Sequence, residues 1–334
     1  MTVFYEKEAF FSTEELSQLF QVEQEDIIKL VTEKEIGQQN INGKVHLKKD
    51  ELENLINELW LSLGISYQYY EIPEHLKNCT SPWTVTLAKM YQDKFTYPDS
   101  ISPEQGDFLR ALVCNVAPKN ILEIGCFTGV STIWLAAGLE QIGSQGTVHS
   151  VDLFNDIIPL LPHHRGYLTN PLEYAQKSVD AAQLSHRVKF YKKNSKEVGA
   201  KIHEFLSEPI DFLFIDGDHT VEGCLNDFML FYPHVSVGGY IILHDINPNY
   251  CGWYGPRYII DKLIKKSPHF DLLEIKTNPI NYGIAVIRKL AEDRTVLWRG
   301  QLTKAGIWQR IKNKPLGNFL RKTLFKSMYS QNSQ

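Results

Sequence analysis

Cysteine is scarce. The five present, Cys79, Cys114, Cys126, Cys224 and Cys251, lie far apart and never form a C-x-x-C pair, so they read as reduced residues that mostly pack. Long apolar runs are missing as well. No stretch approaches the roughly 18 consecutive apolar residues that a membrane helix requires. The first residues, MTVFYEKEAFF, carry glutamates early and lack a basic segment followed by an apolar core, so a cleaved signal peptide is not expected and a cytoplasmic location is. There is no internal repeat, no low-complexity segment and no G-x-G-x-x-G, which argues against a dinucleotide site. A net charge of -4 over 334 residues gives no strong overall field, but the distribution is uneven. Acids outnumber bases in the first 60 residues, and none follows Asp293.

What is present suits one large domain and one smaller unit. Ser12 followed by Glu15 is a capping-box start for a helix through Leu16, Leu19 and Phe20, and a second helix turns Ile27, Ile28, Leu30 and Val31 inward. NINGKVHL then offers an Asn42-Gly43 hairpin turn, and KKDELENLINEL spaces Leu52, Leu55, Ile56 and Leu59 as a helix. The order helix, helix, hairpin, helix, carried by STEELSQLFQVEQEDIIKLVTEKEI, NGKVHL and KKDELENL, resembles the small winged helix-turn-helix domains of the excisionase and MerR type. The resemblance implies a nucleic-acid surface at the start of the second helix. Here that start reads Glu23, Gln24, Glu25 and Asp26. Acids there repel phosphates, so DNA binding is not expected, and docking or homo-oligomerisation through this unit is the preferred reading.

From residue 101 the pattern becomes strands alternating with helices: NILEIG, TVHSVDL, RVKFYKK, IDFLFID, GYIILHD and YGIAVIRK, separated by amphipathic stretches such as PEQGDFLRALVCNV and PLEYAQKSVDAAQL. The expected fold is α/β, a doubly wound Rossmann-like sheet with helices on both faces, joined to a small mainly helical N-terminal domain. Expected boundaries are 1–62 for that domain, 63–100 for a helical linker on the substrate side, 101–292 for the sheet domain and 293–334 for a basic tail. Ligands of such sheets sit at the carboxyl ends of the strands.

Three strand ends carry candidates. ILEIGCFTGVSTIWLA is a strand, a turn and a helix start, with Gly125 and Gly129 spaced as E-x-G-x-x-x-G so that the backbone can turn sharply and approach a ligand. Alone it also suits an ordinary strand-to-helix turn. TVHSVDL ends on Asp152, whose carboxylate can accept both hydroxyls of a ribose or can simply cap. After the third strand, Asn194 and Ser195 can meet an adenine or belong to a plain loop.

ISPEQGDFLRALVCNVAPKNILEIGCFTGVSTIWLA resembles the caffeoyl-CoA and catechol O-methyltransferase group of class I S-adenosylmethionine-dependent methyltransferases. FIDGDHTVEGCLNDFMLFYPHVSVGGYIILHD is similar to related bacterial families that include macrolide-sugar O-methyltransferases and a cephalosporin-hydroxylase-associated protein. The likeness spans roughly residues 101–290. It implies S-adenosylmethionine as cofactor, with Glu123, Gly125 and Ser131 in the methionine and backbone loop, Asp152 at the ribose and Ser195 beside the adenine.

Methyl transfer from a sulfonium is an in-line displacement, so alignment and an electron-rich acceptor are what a protein must provide. A divalent cation, Mg²⁺ or another, lowers the pKa of an acceptor hydroxyl, and a base removes its proton. The chain places Asp216, Asp218 and His219 after the fourth strand and His244 and Asp245 after the fifth. By the resemblance, Asp216 is a metal ligand that also lines the cofactor site, and His219 is the base. The fifth strand of the related enzymes ends in Asp-Asn or Glu-Asp; here it ends in His244-Asp245, which makes Asp245 the safer ligand and leaves His244 as the departure. The alternative is a turn whose aspartates cap the next helix.

NPNYCGWYGPRYIID follows, and its Tyr250, Trp253 and Tyr254 either wall the acceptor or pack the domain. His163 and His164 lie in an insertion that reads as a solvated loop. Beyond Asp293 the bases Arg294, Arg299, Lys304, Arg310, Lys312, Lys314, Arg321, Lys322 and Lys326 accompany Leu316, Phe319, Leu320 and Leu324, a basic amphipathic pattern suited to an anionic membrane surface or to the acidic N-terminal unit. Three functions stand open: an O-methyltransferase for a hydroxylated small molecule such as a sugar or secondary metabolite, a DNA-binding regulator that senses the cofactor, and a non-catalytic accessory protein that binds cofactor and metal.

Overall fold

A computed structural model of the chain describes residues 3–5, 8–20, 23–48, 51, 55, 58–59, 69–157, 167–206, 208–276, 282–293, 295–296 and 300. Eleven strands run through them: β1 (Val3–Tyr5), β2 (Glu8–Ser12), β3 (Gln38–Ile41), β4 (Lys44–Lys48), β5 (Asn120–Ile124), β6 (Thr147–Asp152), β7 (Val188–Lys192), β8 (Ile210–Ile215), β9 (Val235–His244), β10 (Phe270–Ile275) and β11 (Ile284–Lys289). Contacts divide the chain into two compact units. One holds the residues up to Pro118 with Cys126–Lys192, the other Lys119–Gly125 with the residues from Lys193 onward.

In the first unit, Ser12 and Glu15 cap each other as expected. The Ser12 N–H donates to Glu15 Oε2 at 2.9 Å, and the Glu15 N–H to Ser12 Oγ at 3.2 Å. Such a pair stabilises the helix Thr13–Phe20 by about 1 kcal/mol. A second helix, Gln24–Glu33, packs Ile27, Leu30 and Val31 with Leu16, Leu47, Leu55 and Leu59. The turn at Asn42 and Gly43, both with positive φ, closes the β3–β4 hairpin with Ile41 opposite Lys44, as the Asn-Gly pair predicts. The antiparallel sheet β1-β2-β4-β3 goes beyond the expected mainly helical unit, because β1 and β2 are too short for alternation to be read. Glu23, Gln24, Glu25 and Asp26 are exposed.

Further along the same unit, Ser102 and Gln105 form a second capping box with Pro103 in the first turn, starting the helix Pro103–Val116. That helix lies against Val130–Gln141 where Gly106 faces Trp134; a Cβ on Gly106 would overlap the indole. The indole N–H of Trp134 donates to Tyr91 Oη at 2.8 Å, and both side chains are fully buried. The hydrogen bond is what makes burial of an indole and a phenol favourable. β6 and β7 pair in parallel, with Asp152 opposite Lys192.

In the second unit the strand order is β10-β11-β9-β8-β5. β5, β8 and β9 are parallel neighbours, and β11 and β10 add antiparallel strands at the edge. Ile210, Phe212, Leu213, Phe214 and Ile215 of β8 are all buried, which is why that strand reads as a continuous apolar run rather than an alternation. The helix Val221–Phe231 between β8 and β9 buries Cys224, Leu225, Phe228 and Phe231. β10 escapes the sequence reading because its residues are only half-buried or exposed. Together these elements give the α/β architecture with a mostly parallel sheet that the sequence pattern predicts.

Candidate functional site

Because β8 and β9 are parallel, with Ile215 opposite Leu243, their carboxyl ends emerge side by side. Asp216 leaves one and His244–Asp245 the other. The Asp216 N–H donates to the Ile124 carbonyl at 2.8 Å, which fixes the backbone beyond β8. His219, three residues on, folds back so that its Nε2 lies 3.1 Å from Asp216 Oδ1 and 3.2 Å from Asp245 Oδ2. His244 Nδ1 lies 2.9 Å from both Asp216 Oδ1 and Asp245 Oδ1. One ligating atom from each of the four residues lies within 4.8 Å of the others. The expected constellation of Asp216, His219, His244 and Asp245 is brought together.

The cluster is sheltered. His244 and Asp245 are buried, and Asp216 and His219 nearly so. A single ring nitrogen carries at most one proton, yet His244 Nδ1 has two carboxylate oxygens at hydrogen-bonding distance. It lies against both carboxylates, and the buried Asp245 Oδ1 has the His244 ion pair and no separate hydrogen bond. Asp245 also adopts a left-handed backbone, φ +57°, which aspartate tolerates better than most residues. Burial works against charge on every member, but the mutual pairing outweighs it. Asp216 is drawn down to about 2 by His244 and His219 despite burial. Burial lowers His219 and His244, and the Asp216 and Asp245 carboxylates more than reverse this, so both imidazoles end above their ordinary value.

Asp218 takes the other role open to this turn. Its Oδ1 accepts from the Thr220 N–H at 2.9 Å, while Thr220 Oγ1 accepts from the Gly223 N–H at 3.0 Å and caps the helix Val221–Phe231. The two aspartates of DGDH therefore divide the two readings, cluster and cap, between them.

The glycine turn is built tightly. Gly125 has φ +92°, and a Cβ there would overlap the backbone of Asp216. Gly129, φ +89°, starts the helix Val130–Gln141. In the first unit, Asp152 Oδ2 accepts from the N–H groups of Cys126 and Phe127 at 2.8 and 2.9 Å, and its Oδ1 accepts from Phe154 N–H at 2.6 Å. Asp152 thus shapes the turn that follows Gly125. Thr128 Oγ1, in the same turn, is buried without a hydrogen bond. Ser131 is buried in the first turn of its helix, and Glu123 is buried within β5. Asn194 caps the helix Ser195–Ala200 by accepting from Lys196 N–H at 2.9 Å, and Ser195 Oγ donates to Asp227 at 2.6 Å.

Trp253 and Tyr254 are about half exposed, at 51% and 59%, so they do not pack the core. Tyr250 lies on the short helix Pro248–Cys251; its side chain falls outside the described residues, as do His163, His164 and the tail from residue 301. Two residues escape the sequence reading. The Gly255 N–H donates to the His219 carbonyl at 3.0 Å, and a Cβ on Gly255 would sit 2.6 Å from that oxygen. Asp227 holds Ser195. A glycine between Tyr254 and Pro256 is a usable sign of close backbone approach; an aspartate inside an amphipathic helix gives no such sign.

Residues 122–246 match a family described as "Methyltransferase domain". The chain is 32% identical to a catechol O-methyltransferase of Niastella koreensis over 119 residues, 36% of this chain and 46% of that protein. It is 29% identical to a catechol O-methyltransferase of Mycobacterium tuberculosis over 119 residues, 36% and 45% of the two chains. The match thus spans less than half the length of these relatives. Among solved structures, a Klebsiella pneumoniae protein described provisionally as an O-methyltransferase aligns with a TM-score of 0.50 at 18% identity, covering 73% of this chain and 99% of that one. That likeness speaks for the fold. The coarse reading, a methyltransferase-type domain on a mostly parallel sheet, is supported by sequence match and topology alike. Among the described residues, no helix is long and apolar enough to cross a membrane.

Proposed function

We propose that the chain is an S-adenosylmethionine-dependent O-methyltransferase that uses a divalent cation and acts on a hydroxyl of a small molecule. The observation that carries this reading is the convergence of Asp216, His219, His244 and Asp245 at two neighbouring strand ends, inside a region that matches a methyltransferase domain. The residues suit both groups. The buried Thr128 Oγ1, without a hydrogen bond in the turn that follows Gly125, favours a polar ligand at that turn. The buried Asp245 Oδ1, paired with His244 and given no separate hydrogen bond, and its neighbours favour a cation.

When bound, S-adenosylmethionine supplies a methyl group activated on sulfur, and a divalent cation supplies the charge that acidifies a coordinated hydroxyl. Glu123, Gly125, Gly129, Ser131, Asp152, Asn194 and Ser195 are the residues proposed around the methyl donor. Asp216, Asp245 and His244 would hold the cation. With Asp216 and Asp245 turned to the cation, His219 Nε2, which otherwise donates to those carboxylates, would be free to take the proton of the acceptor hydroxyl. The shelter of the cluster strengthens each of these electrostatic interactions. Trp253 and Tyr254 offer exposed aromatic faces for an acceptor.

The test is a methyl-transfer screen over catechols, sugars and polyketide-like hydroxyls, run with divalent cation and with excess EDTA. Transfer that is lost in EDTA and restored by added cation is the expected result. Full turnover in EDTA removes the cation from the proposal. Cofactor binding with no transfer to any hydroxyl leaves the accessory role in its place.

A further inference from the structure

Mg²⁺ prefers an all-oxygen, octahedral environment and gives up its water reluctantly. The cluster does not offer one. Asp216 and Asp245 contribute carboxylate oxygens, but the position beside them on β9 is His244, whose Nδ1 stands 2.9 Å from an oxygen of each. Its side chain is 8% exposed, so the imidazole cannot swing into solvent and yield its place to water. Asp245 Oδ1, itself buried and without a hydrogen bond, faces the same nitrogen.

We infer that this site selects a first-row transition cation, of the Mn²⁺, Fe²⁺, Co²⁺ or Zn²⁺ kind, over Mg²⁺, and that His244 is the residue that makes the selection. The inference rests on the proposal that a divalent cation binds here at all. Its physical basis is the donor set. An imidazole nitrogen among two carboxylates suits borderline cations with an affinity for nitrogen, and it contributes little to a hard cation. The carboxylates provide the charge that any dication needs, so discrimination falls to the nitrogen.

The experiment uses the full chain, stripped with EDTA and dialysed separately against Mg²⁺, Mn²⁺, Co²⁺ and Zn²⁺, with bound metal measured by mass spectrometry. The expected result is one Mn²⁺, Co²⁺ or Zn²⁺ per chain, held at least about tenfold more tightly than Mg²⁺. In the Mn²⁺-loaded wild-type protein, electron spin-echo spectroscopy should show coupling to an imidazole nitrogen. His244→Asp, which makes the set carboxylate-only at that position, should narrow the preference toward Mg²⁺ and weaken the nitrogen coupling. The wild-type spectrum tests the assignment even if that variant does not fold. Equal or tighter Mg²⁺ binding, or a Mn²⁺ spectrum without nitrogen coupling, overturns the selection while leaving a cation in the site. Failure of the wild-type protein to retain any of the four cations overturns both.

Discussion

The turn after β5 and the cluster after β8 and β9 fix their carboxylates by opposite means. Asp152 is held by three main-chain N–H groups, from Cys126, Phe127 and Phe154. Asp216 and Asp245 are held by two imidazoles. Backbone donors cannot leave, so the first arrangement is a fixed mould. Imidazole protons can leave, so the second arrangement can change its partners, as the proposed cation and acceptor would require. On the proposed reading, Asp152 shapes the turn beside the methyl donor, and Asp216 and Asp245 serve the chemistry.

The strongest way to break that contrast is to remove a cluster carboxylate. Asp216→Ala or Asp245→Ala should abolish turnover while leaving a cooperative thermal melt; substantial residual transfer in either variant would remove these residues from the chemistry. His219→Ala should reduce kcat by about 10²- to 10⁴-fold, the usual worth of a positioned base. In a pH–rate series the variant should lose the limb that rises with pH in the wild-type profile. An unchanged profile would make His219 a positioning residue only.

On the mould side, Gly125→Ala should destabilise the fold by more than about 2 kcal/mol, since it combines a left-handed φ with overlap on the Asp216 backbone. Urea midpoints measure this. A fully stable Gly125→Ala that still loses cofactor binding would mean the turn's shape serves the ligand alone.

A smaller effect sharpens the comparison from a third place. His149 is buried beside Tyr191, whose Oη lies 3.0 Å from its Nδ1 and whose ring stacks on it. Burial, followed by the charge of Lys189, pushes this imidazole down to about 4. Carboxylates push His219 and His244 the other way. A histidine with a depressed folded value contributes stability that is complete above its unfolded value near 6.5 and is lost as pH falls toward 4. Wild-type stability should therefore drop across that window, and His149→Gln should flatten the slope. Identical slopes for both proteins would refute it.

Much of this was readable in advance for a physical reason. Parallel neighbours bring their carboxyl ends together, so residues that end apolar runs must meet, and Asp216, His244 and Asp245 do. The Ser12–Glu15 cap and the Asn42-Gly43 turn are local chemistry and were equally legible. What stayed hidden depends on tertiary distance. Nothing near Asp218 says that it bends onto Thr220 while Asp216 does not. Ser195 and Asn194 look like free loop polars until Asp227 and the Lys196 N–H claim them. β10 is half-exposed, so no run of apolar residues announces it.

The tie between Gly255 and His219 carries a consequence for how such a protein can change. It is a main-chain hydrogen bond at a position where no side chain fits, so it is indifferent to the identities of Trp253 and Tyr254 just before it. Those exposed rings can be exchanged for others while the anchor keeps its register. If the proposed acceptor meets those rings, the loop can change what it recognises over generations without retuning the histidine to which its end is fastened.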